Sequence, residues 1–509
     1  MAKSRKSMTN IHDILKSAHF PTSTLLIDFE TYFDSDYSMR AMSTVEYVTD
    51  PRFECLGFAA WESDYDRQTW FNGSQTASQL RKYQKKYGQD FENVTLVVQN
   101  GFFDPLILTH HFNISPAFII DIIHLDRHIE ARARHSLKDM AKRWELSNEK
   151  GDTDVFKGLH WVDIVGEPKY ELDLIDYALN DVQLEKELFF KLLPQISRPD
   201  VELPLMNHTH TMYLYPQLRV NMTKARPLIP KMKIAMAASM GDYDRKEISG
   251  NISFAKKLIA AMPDEETIPL KRGKPTKNML PLTGPEQIPA LAKSDAGATQ
   301  LLIHPKEEVR KLITARLALK SWPTHIKKLQ NLIRQAKARD GRLGVPIRYY
   351  AAHTGRFGGA EAINVQNFAA RVAPLMGEVK QCIEAPPGHT LILSDLAQIE
   401  NRNLAYMSGQ MDLLECFSNK GDPYSMFATK IFAEEVRKPT PDDPKAVYDE
   451  MFLRRFIGKQ AVLGLGYGMG ANRFYTQIQS YKAVRELVDR GAINGVFAAK
   501  VVKLYRTTN

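Results

Sequence analysis

The pattern of apolar and polar positions changes character along this chain. Thr24-Leu25-Leu26-Ile27-Asp28-Phe29 is a nearly continuous apolar run, and Glu54–Trp61 and Val94–Gln99 read the same way, as buried strands. Ser136–Trp144 and Leu172–Leu193 carry the apolar spacing of helices, so residues 21–195 predict a mixed α/β domain. Residues 196–345 are mainly helical in pattern, with scattered Lys and Arg and with Pro and Gly breaks near Pro263–Pro285. Strands are expected to return over 346–509, where Leu391-Ile392-Leu393-Ser394-Asp395 reads as a hydrophobic strand ending in an acid. Helices then follow to the end. Residues 1–20 read as a short lead-in, and neither a repeat nor a low-complexity tract interrupts the chain.

Acids sit where this pattern gives them no packing reason to be. Asp28 and Glu30, at i and i+2 on one strand, point to the same face. Asp104 follows the strand Val94–Gln99, and Asp181 lies one helical turn after Tyr177. A lone Asp-x-Glu is common by chance, Asp104 alone suits a helix N-terminus, and Tyr177-x-x-x-Asp181 alone is an ordinary helix face. The ordered set is stronger, because every member lies at a strand end or on a helix flanking one inferred sheet. Two unit charges about 4 Å apart cost roughly 4 kcal/mol at an effective dielectric of 20. A cluster of four persists when divalent cations hold it, and all-oxygen ligands suit Mg²⁺ or Mn²⁺. Two such ions suit phosphodiester hydrolysis, with the Tyr177 phenol orienting the attacking water.

Composition bounds the reading. At 509 residues, two to four domains are expected, and 44% hydrophobic with 25% charged residues is ordinary for a globular chain. A net charge of +9 favours a polyanionic partner. The basic start Met1–Lys6 has no apolar signal core behind it and no run approaches bilayer length, so no membrane association and a cytoplasmic location are expected. Cys55, Cys382 and Cys416 suit a reducing compartment. Lys82, Lys85 and Lys86 read as a solvated face, and His208-Thr209-His210 lacks a nearby third metal ligand.

A second group of residues lies downstream. Arg348–Phe357, containing Thr354-Gly355-Arg356, and then Val365-Gln366-Asn367 are basic, aromatic and amide-rich, which suits phosphate contacts and base stacking as well as an ordinary cationic hairpin. Asp395-Leu396-Ala397-Gln398-Ile399-Glu400-Asn401-Arg402 follows the predicted strand. Arg455, Lys459, Leu463 and Tyr467 recur every fourth residue, one stripe on a helix whose cations suit a triphosphate. Gly458, Gly464, Gly466, Gly468 and Gly470 allow a glycine-rich loop equally well.

These blocks carry a family resemblance. Asp28-Phe29-Glu30, Asn100–Asp104 and Tyr177–Asp181, with Asp121 through His135–Ala141 between them, resemble the motifs of the DEDDy 3′–5′ proofreading exonucleases. The resemblance implies a ribonuclease H-like fold, with Asp28, Glu30, Asp104 and Asp181 holding two Mg²⁺ or Mn²⁺. The downstream blocks resemble family A, polymerase I-like DNA polymerases, especially those of bacteriophages: Thr354-Gly355-Arg356 the primer–template segment, Asp395–Arg402 motif A, and Arg455-x3-Lys459-x7-Tyr467-Gly468 motif B. It implies that Asp395 binds the catalytic metals and that Gln398, Glu400, Arg455, Lys459 and Tyr467 surround the incoming nucleotide. Arg356, Gln366, Asn367 and Arg402 would meet DNA. The implied architecture is α/β and α+β multidomain: an exonuclease domain, a helical thumb, then an incomplete palm and fingers of a right-hand polymerase. The implied partners are DNA primer–template, single-stranded 3′ ends and deoxynucleoside triphosphates, in the host cytoplasm if the chain is phage-encoded.

Three departures qualify the likeness. Ala397 stands where Ser is usual, and Leu463 where Phe or Tyr is usual. The family's His-Asp-Glu hairpin, which holds the second palm acid, has no counterpart after Tyr467; Asp449-Glu450 lies before motif B. A truncated sequence, a split polymerase whose second polypeptide supplies the rest of the palm, and a degenerate gene are the explanations this leaves, and weak polymerisation by this chain alone is expected. A stand-alone exonuclease and a non-catalytic DNA-binding subunit are the competing functions.

Overall fold

The computed structural model describes residues 11–293, 295–368, 375–479, 481–484, 487, 488 and 490–508. It divides into two compact bodies, residues 1–234 with 323–391 and residues 235–322 with 392–509. Of the expected lead-in, residues 1–10 lie outside the described part. Residues 11–17 are helical, and Ile11 and Leu15 are buried against the sheet described next.

The first body is built on a five-stranded mixed sheet in the order β3-β2-β1-β4-β5. Its strands are β1 (Thr24–Thr31), β2 (Cys55–Glu62), β3 (Arg67–Asn72), β4 (Thr95–Val98) and β5 (Ile119–Asp121). β2 runs antiparallel to β1 and β3, while β4 is parallel to β1 and β5. The sequence pattern fixes which way β1 faces. Leu25, Ile27 and Phe29 enter one apolar cluster, whereas Leu26 enters the cluster on the opposite face, under the helix Pro168–Leu192. Strand parity therefore puts Asp28 and Glu30 on the helix-covered face. Opposite Glu30 stands Gly57, where a Cβ would lie 2.5 Å from the carbonyl of Phe71. This sheet, flanked by helices, is the ribonuclease H-like arrangement the motifs implied.

Two strands escape the sequence pattern. β3 is a polar edge strand, and β5 has only three residues.

The second body is helical. Asn251–Ala261 and the first part of Glu307–Lys337 share one core through Phe254, Leu258, Leu312 and Ile313. A separate core joins Pro423–Phe432, Lys445–Leu465, Ala471–Gln479 and Gly495–Thr508. The stripe from Arg455 to Leu463 is thus helical, not a glycine-rich loop. Gly458 lies inside that helix, where a Cβ would strike the Tyr424 carbonyl, so the glycine permits close packing against Pro423–Phe432. Gly466 caps the helix, and Gly468 follows at φ +77°.

The expected strand at Leu391–Asp395 is not formed. These residues are irregular and exposed, Ile392 by 91% and Leu393 by 82%. A strand needs a neighbour to take its N–H and C=O groups, and among the described residues no strand pairs with this segment. The strands expected to return after Arg348 are likewise limited to two-residue pairings at Ile347–Arg348, Gly358–Gly359 and Ile383–Glu384.

Candidate active sites

The first site grows out of three elements. β1 supplies Asp28 and Glu30. Its neighbour β4 leads through Asn100, at φ +78°, into the helix Asp104–Phe112, so Asp104 opens a helix beside β1. Its Oδ1 accepts the Phe29 N–H at 3.0 Å. The third element is Pro168–Leu192, whose buried positions step through Leu174, Ala178, Asp181, Glu185, Leu188 and Leu192. Two acids occupy an apolar stripe. Ligand atoms of Asp28, Glu30 and Asp181 lie within 4.8 Å of one another. Three of the four predicted acids therefore meet; Asp104 is outside that trio but near enough for its charge to raise Glu30.

The electrostatics show how crowded this cluster is. Burial, partly offset by Lys150, raises the Asp28 carboxyl from 3.8 to about 6. Burial first and the Asp28 charge second push Glu30 and Asp104 well above the usual carboxylate range. Two residues were not foreseen. Glu185 is 1% exposed, is pushed well up by burial and by Asp28 and Asp104, and has an unpartnered Oε2. Its signal in the sequence was the repeated four-residue step from Tyr177 through Asp181. Lys150 donates to Asp181 Oδ2 and to the Tyr177 hydroxyl, and its Nζ lies 4.3 Å from the Tyr177 ring centre. Burial lowers its own pKa while Asp28 and Glu30 pull it back up. Burial, then Glu30 and Asp28, raise the Tyr177 phenol above its ordinary range, so it stays protonated at neutral pH.

A divalent cation fits these residues. The acids repel one another, Asp181 Oδ1 has no partner, and an ammonium already stands in contact with the cluster, doing in part what a metal ion does more fully. Beside Glu30 opens a cleft of about 590 Å³ whose walls include Phe33, Met39, Arg40, Phe103 and Lys157.

The downstream residues fall into both bodies. In the first, Ile347–Arg348 and Gly358–Gly359 form a short hairpin. Tyr349 in this hairpin is 1% exposed and hydrogen-bonds His128 Nδ1 at 2.8 Å and Glu202 at 2.5 Å. Tyr349 is thus a core ring, and half-buried Tyr350 and Phe357 pack against the same core. Arg356 and Gln366 are exposed on the same segment, and the side chain of Asn367 lies outside what is described.

In the second body, Gln398 at φ +56° starts the helix Ile399–Ser408, which carries Glu400 and Arg402. The Tyr467 hydroxyl donates to Glu400 Oε2 at 2.5 Å, bringing motif A and motif B residues together. Arg402 donates to the Ala397 carbonyl at 2.9 Å and stacks on Phe417. Arg455 forks onto Asp422 at 2.6 and 3.0 Å, and Lys459 lies 5.7 Å from the Tyr424 ring centre. Asp395 is exposed on irregular chain, and among the described residues no three-residue ligand cluster includes it.

Comparison with known proteins agrees with both halves. Residues 76–197 match the 3′–5′ exonuclease model and residues 270–489 match the DNA polymerase family A model. Over those stretches the chain is similar to 3′–5′ exonucleases and to family A DNA polymerases. Thermostable DNA polymerase I of Thermus thermophilus is 28% identical over 199 residues, 39% of this chain and 22% of the relative. DNA polymerase I of Synechocystis is 23% identical over 404 residues, 77% of this chain and 38% of the relative. The matched region thus spans well under half of either relative. Among solved structures, the POL domain of Pol1 from M. smegmatis in complex with DNA primer–template and dNTP aligns with a TM-score of 0.58 at 17% identity, covering 97% of this chain and 74% of that one. The fold is shared. These relatives are bacterial, not specifically phage enzymes. Among the described residues no helix is long and apolar enough to cross a membrane.

Proposed function

We propose that residues 21–195 remove nucleotides from DNA 3′ ends with two Mg²⁺ or Mn²⁺ ions. In this reading Asp28, Glu30, Asp104 and Asp181 hold the ions, Glu185 supports them, and Tyr177 orients the water. The observation that carries it is the convergence of Asp28, Glu30 and Asp181 within 4.8 Å beside an open cleft. Bound ions would activate the water and neutralise charge on the departing oxygen. The chain's own residues do the rest. Tyr177, held protonated, keeps a hydrogen bond to donate to the water. Phe33, Met39 and Phe103 offer apolar surface for the terminal base, and Arg40 and Lys157 offer charge for phosphates. Lys150, already against Asp181, keeps positive charge beside the reacting phosphate. Water oxygen joins phosphorus, the 3′ oxygen of the preceding nucleotide leaves with a proton, and a nucleoside 5′-monophosphate is released.

The same proposal extends to residues 346–509 as part of a palm and fingers, following a connector and thumb at 196–345. Arg455, Lys459 and Tyr467 would receive a deoxynucleoside triphosphate, with Gln398 and Glu400 at its sugar; Arg356, Gln366, Asn367 and Arg402 would meet primer–template. It assigns the chain to bacteriophage DNA replication in the host cytoplasm, on the spelling of the Thr354–Arg356 and Asp395–Arg402 blocks.

The experiment is degradation of a 3′-labelled single strand by the purified chain with Mg²⁺. Asp28→Ala is expected to abolish shortening while leaving DNA binding intact; an Asp28→Ala variant that digests normally overturns the assignment.

A further inference from the structure

A second cluster of ligating side chains lies in the first body, apart from the exonuclease acids. Asp121 ends β5, His124 follows on the helix Ile122–Ile129, and His210 comes from the helix Pro199–Leu214. All three are buried, at 3%, 3% and 1% exposure, and each offers a ligand atom within 4.8 Å of the others. The two imidazoles stack with ring centres 4.4 Å apart and planes within 11°. Both Nε2 atoms face the same carboxylate oxygen, Asp121 Oδ2, at 3.9 Å from His124 and 3.7 Å from His210. These separations are too long for hydrogen bonds. His210 has neither ring nitrogen partnered, and the Nδ1 of His124 is also unpartnered. Buried polar groups are normally partnered, so these nitrogens lack the partner such groups require.

A small cation would take one nitrogen from each ring together with a carboxylate oxygen of Asp121. Ligands about 2.0–2.1 Å from a tetrahedral zinc lie roughly 3.3 Å apart, so the two histidine–Asp121 separations must shorten by about half an ångström and one ring must turn out of the stack to aim both nitrogens at one ion. The N₂O donor set suits zinc-type ions, unlike the all-oxygen exonuclease cluster. We propose that Asp121, His124 and His210 form a buried site for a divalent transition metal of zinc type.

The site has a structural consequence. Asp121 accepts the N–H groups of Asn100 at 3.2 Å, Gly101 at 2.9 Å and Ile123 at 2.8 Å. A Cβ on Gly101 would lie 2.5 Å from the His210 ring, so the loop passes directly over the cluster. An ion here joins β5 and two helices beneath the loop that delivers Asp104. His208 is exposed and takes no part; the partners of His210 come from β5 and the helix after it, not from its own neighbourhood in the chain.

The test uses the full chain, stripped with chelator and titrated with Co²⁺ as the probe, with zinc content of the untreated protein measured separately. Expected are one tightly held equivalent and the intense visible absorption of a tetrahedral, nitrogen-ligated Co²⁺, which oxygen-ligated octahedral ions lack. Asp28→Ala is expected to keep this signal, whereas His210→Gln and His124→Gln lose it, with affinity reduced by more than roughly 100-fold. Wild-type protein that shows no such absorption overturns the proposal whatever the variants do. So does a signal that survives in folded His210→Gln, or one that Asp28→Ala removes.

Discussion

Replacing Asp28 with Asn is expected to make the metal-free protein more stable, and only above a definite pH. The Asp28 carboxyl is raised from 3.8 to about 6 in the fold, chiefly by burial. The folded state therefore holds its proton more tightly than the unfolded chain does. Between about pH 4 and 6 folding takes up a proton, so this group's contribution falls as pH rises through that window and stays lost above it. A shift of about two units corresponds to about 2–3 kcal/mol. Asn carries no such charge. In chelator at pH 8, Asp28→Asn should thus gain up to about 3 kcal/mol, which is roughly 5–10 °C in melting temperature for a domain of this size; at pH 4 the gain should vanish. Trp61, Trp70, Trp144 and Trp161 lie in the exonuclease domain, against Trp322 outside it, so tryptophan fluorescence reports mainly the right melt. Adding Mg²⁺ or Mn²⁺ at pH 8 should reverse the order, since only wild type binds the ion fully. An Asp28→Asn protein that melts at or below wild type in chelator at pH 8 refutes the crowded-carboxylate account.

The neighbouring residues give two further expectations. Lys150→Met removes the ammonium that offsets the acids, so in chelator at pH 8 the melt should fall by about 1–3 kcal/mol equivalent, with divalent metal restoring most of it; an unchanged melt in chelator counts against Lys150 as a stand-in cation. Burial first, then the Asp28 and Asp104 charges, push Glu185 well above its ordinary range, toward the protonated form. Glu185→Gln should change stability at pH 7 by less than about 1 kcal/mol yet raise the Mg²⁺ concentration needed for 3′-end degradation, and a Mg²⁺ titration identical to wild type would remove Glu185 from the site.

Strand parity made half of the exonuclease cluster readable. Once Leu25 and Ile27 are assigned to one face of β1, Asp28 and Glu30 follow on the other without knowledge of the fold. Asp181 was readable from its step after Tyr177, and one more step would have yielded Glu185. Lys150 gave no such signal, because it lies in an irregular segment with no period to place it. His124 and His210 were hidden differently: the first sits among aliphatic helix residues, and the second beside a more conspicuous exposed histidine. The failure at Leu391–Asp395 is of another kind. Hydrophobicity predicts what a segment prefers to bury, but strand formation also requires partners for its backbone, and sequence-local reasoning says nothing about those. The tyrosines of the 349–350 hairpin show the converse, since a ring suited to stacking on a base is equally suited to a core.

The two sites also differ in how far their charged groups are committed within the protein. In the exonuclease cluster the acids lack enough cationic partners, which leaves Asp181 Oδ1 and Glu185 Oε2 unsatisfied and makes ion binding favourable from the start. In the helix Lys445–Leu465 the reverse holds. Arg455 spends its fork on Asp422, and the Arg455 pairing, with Ser425, holds the Asp422 carboxyl below its usual range despite burial. A triphosphate approaching Arg455 must compete with that bidentate pair, whereas Lys459, 5.7 Å from the Tyr424 ring centre, has no ion pair to break among the described residues. Truncating Arg455 would leave Asp422 part-buried without its counter-charge, so a loss of activity there mixes helix packing with nucleotide binding. Lys459 is the cleaner probe of the nucleotide site, because its removal leaves the Asp422 pair intact.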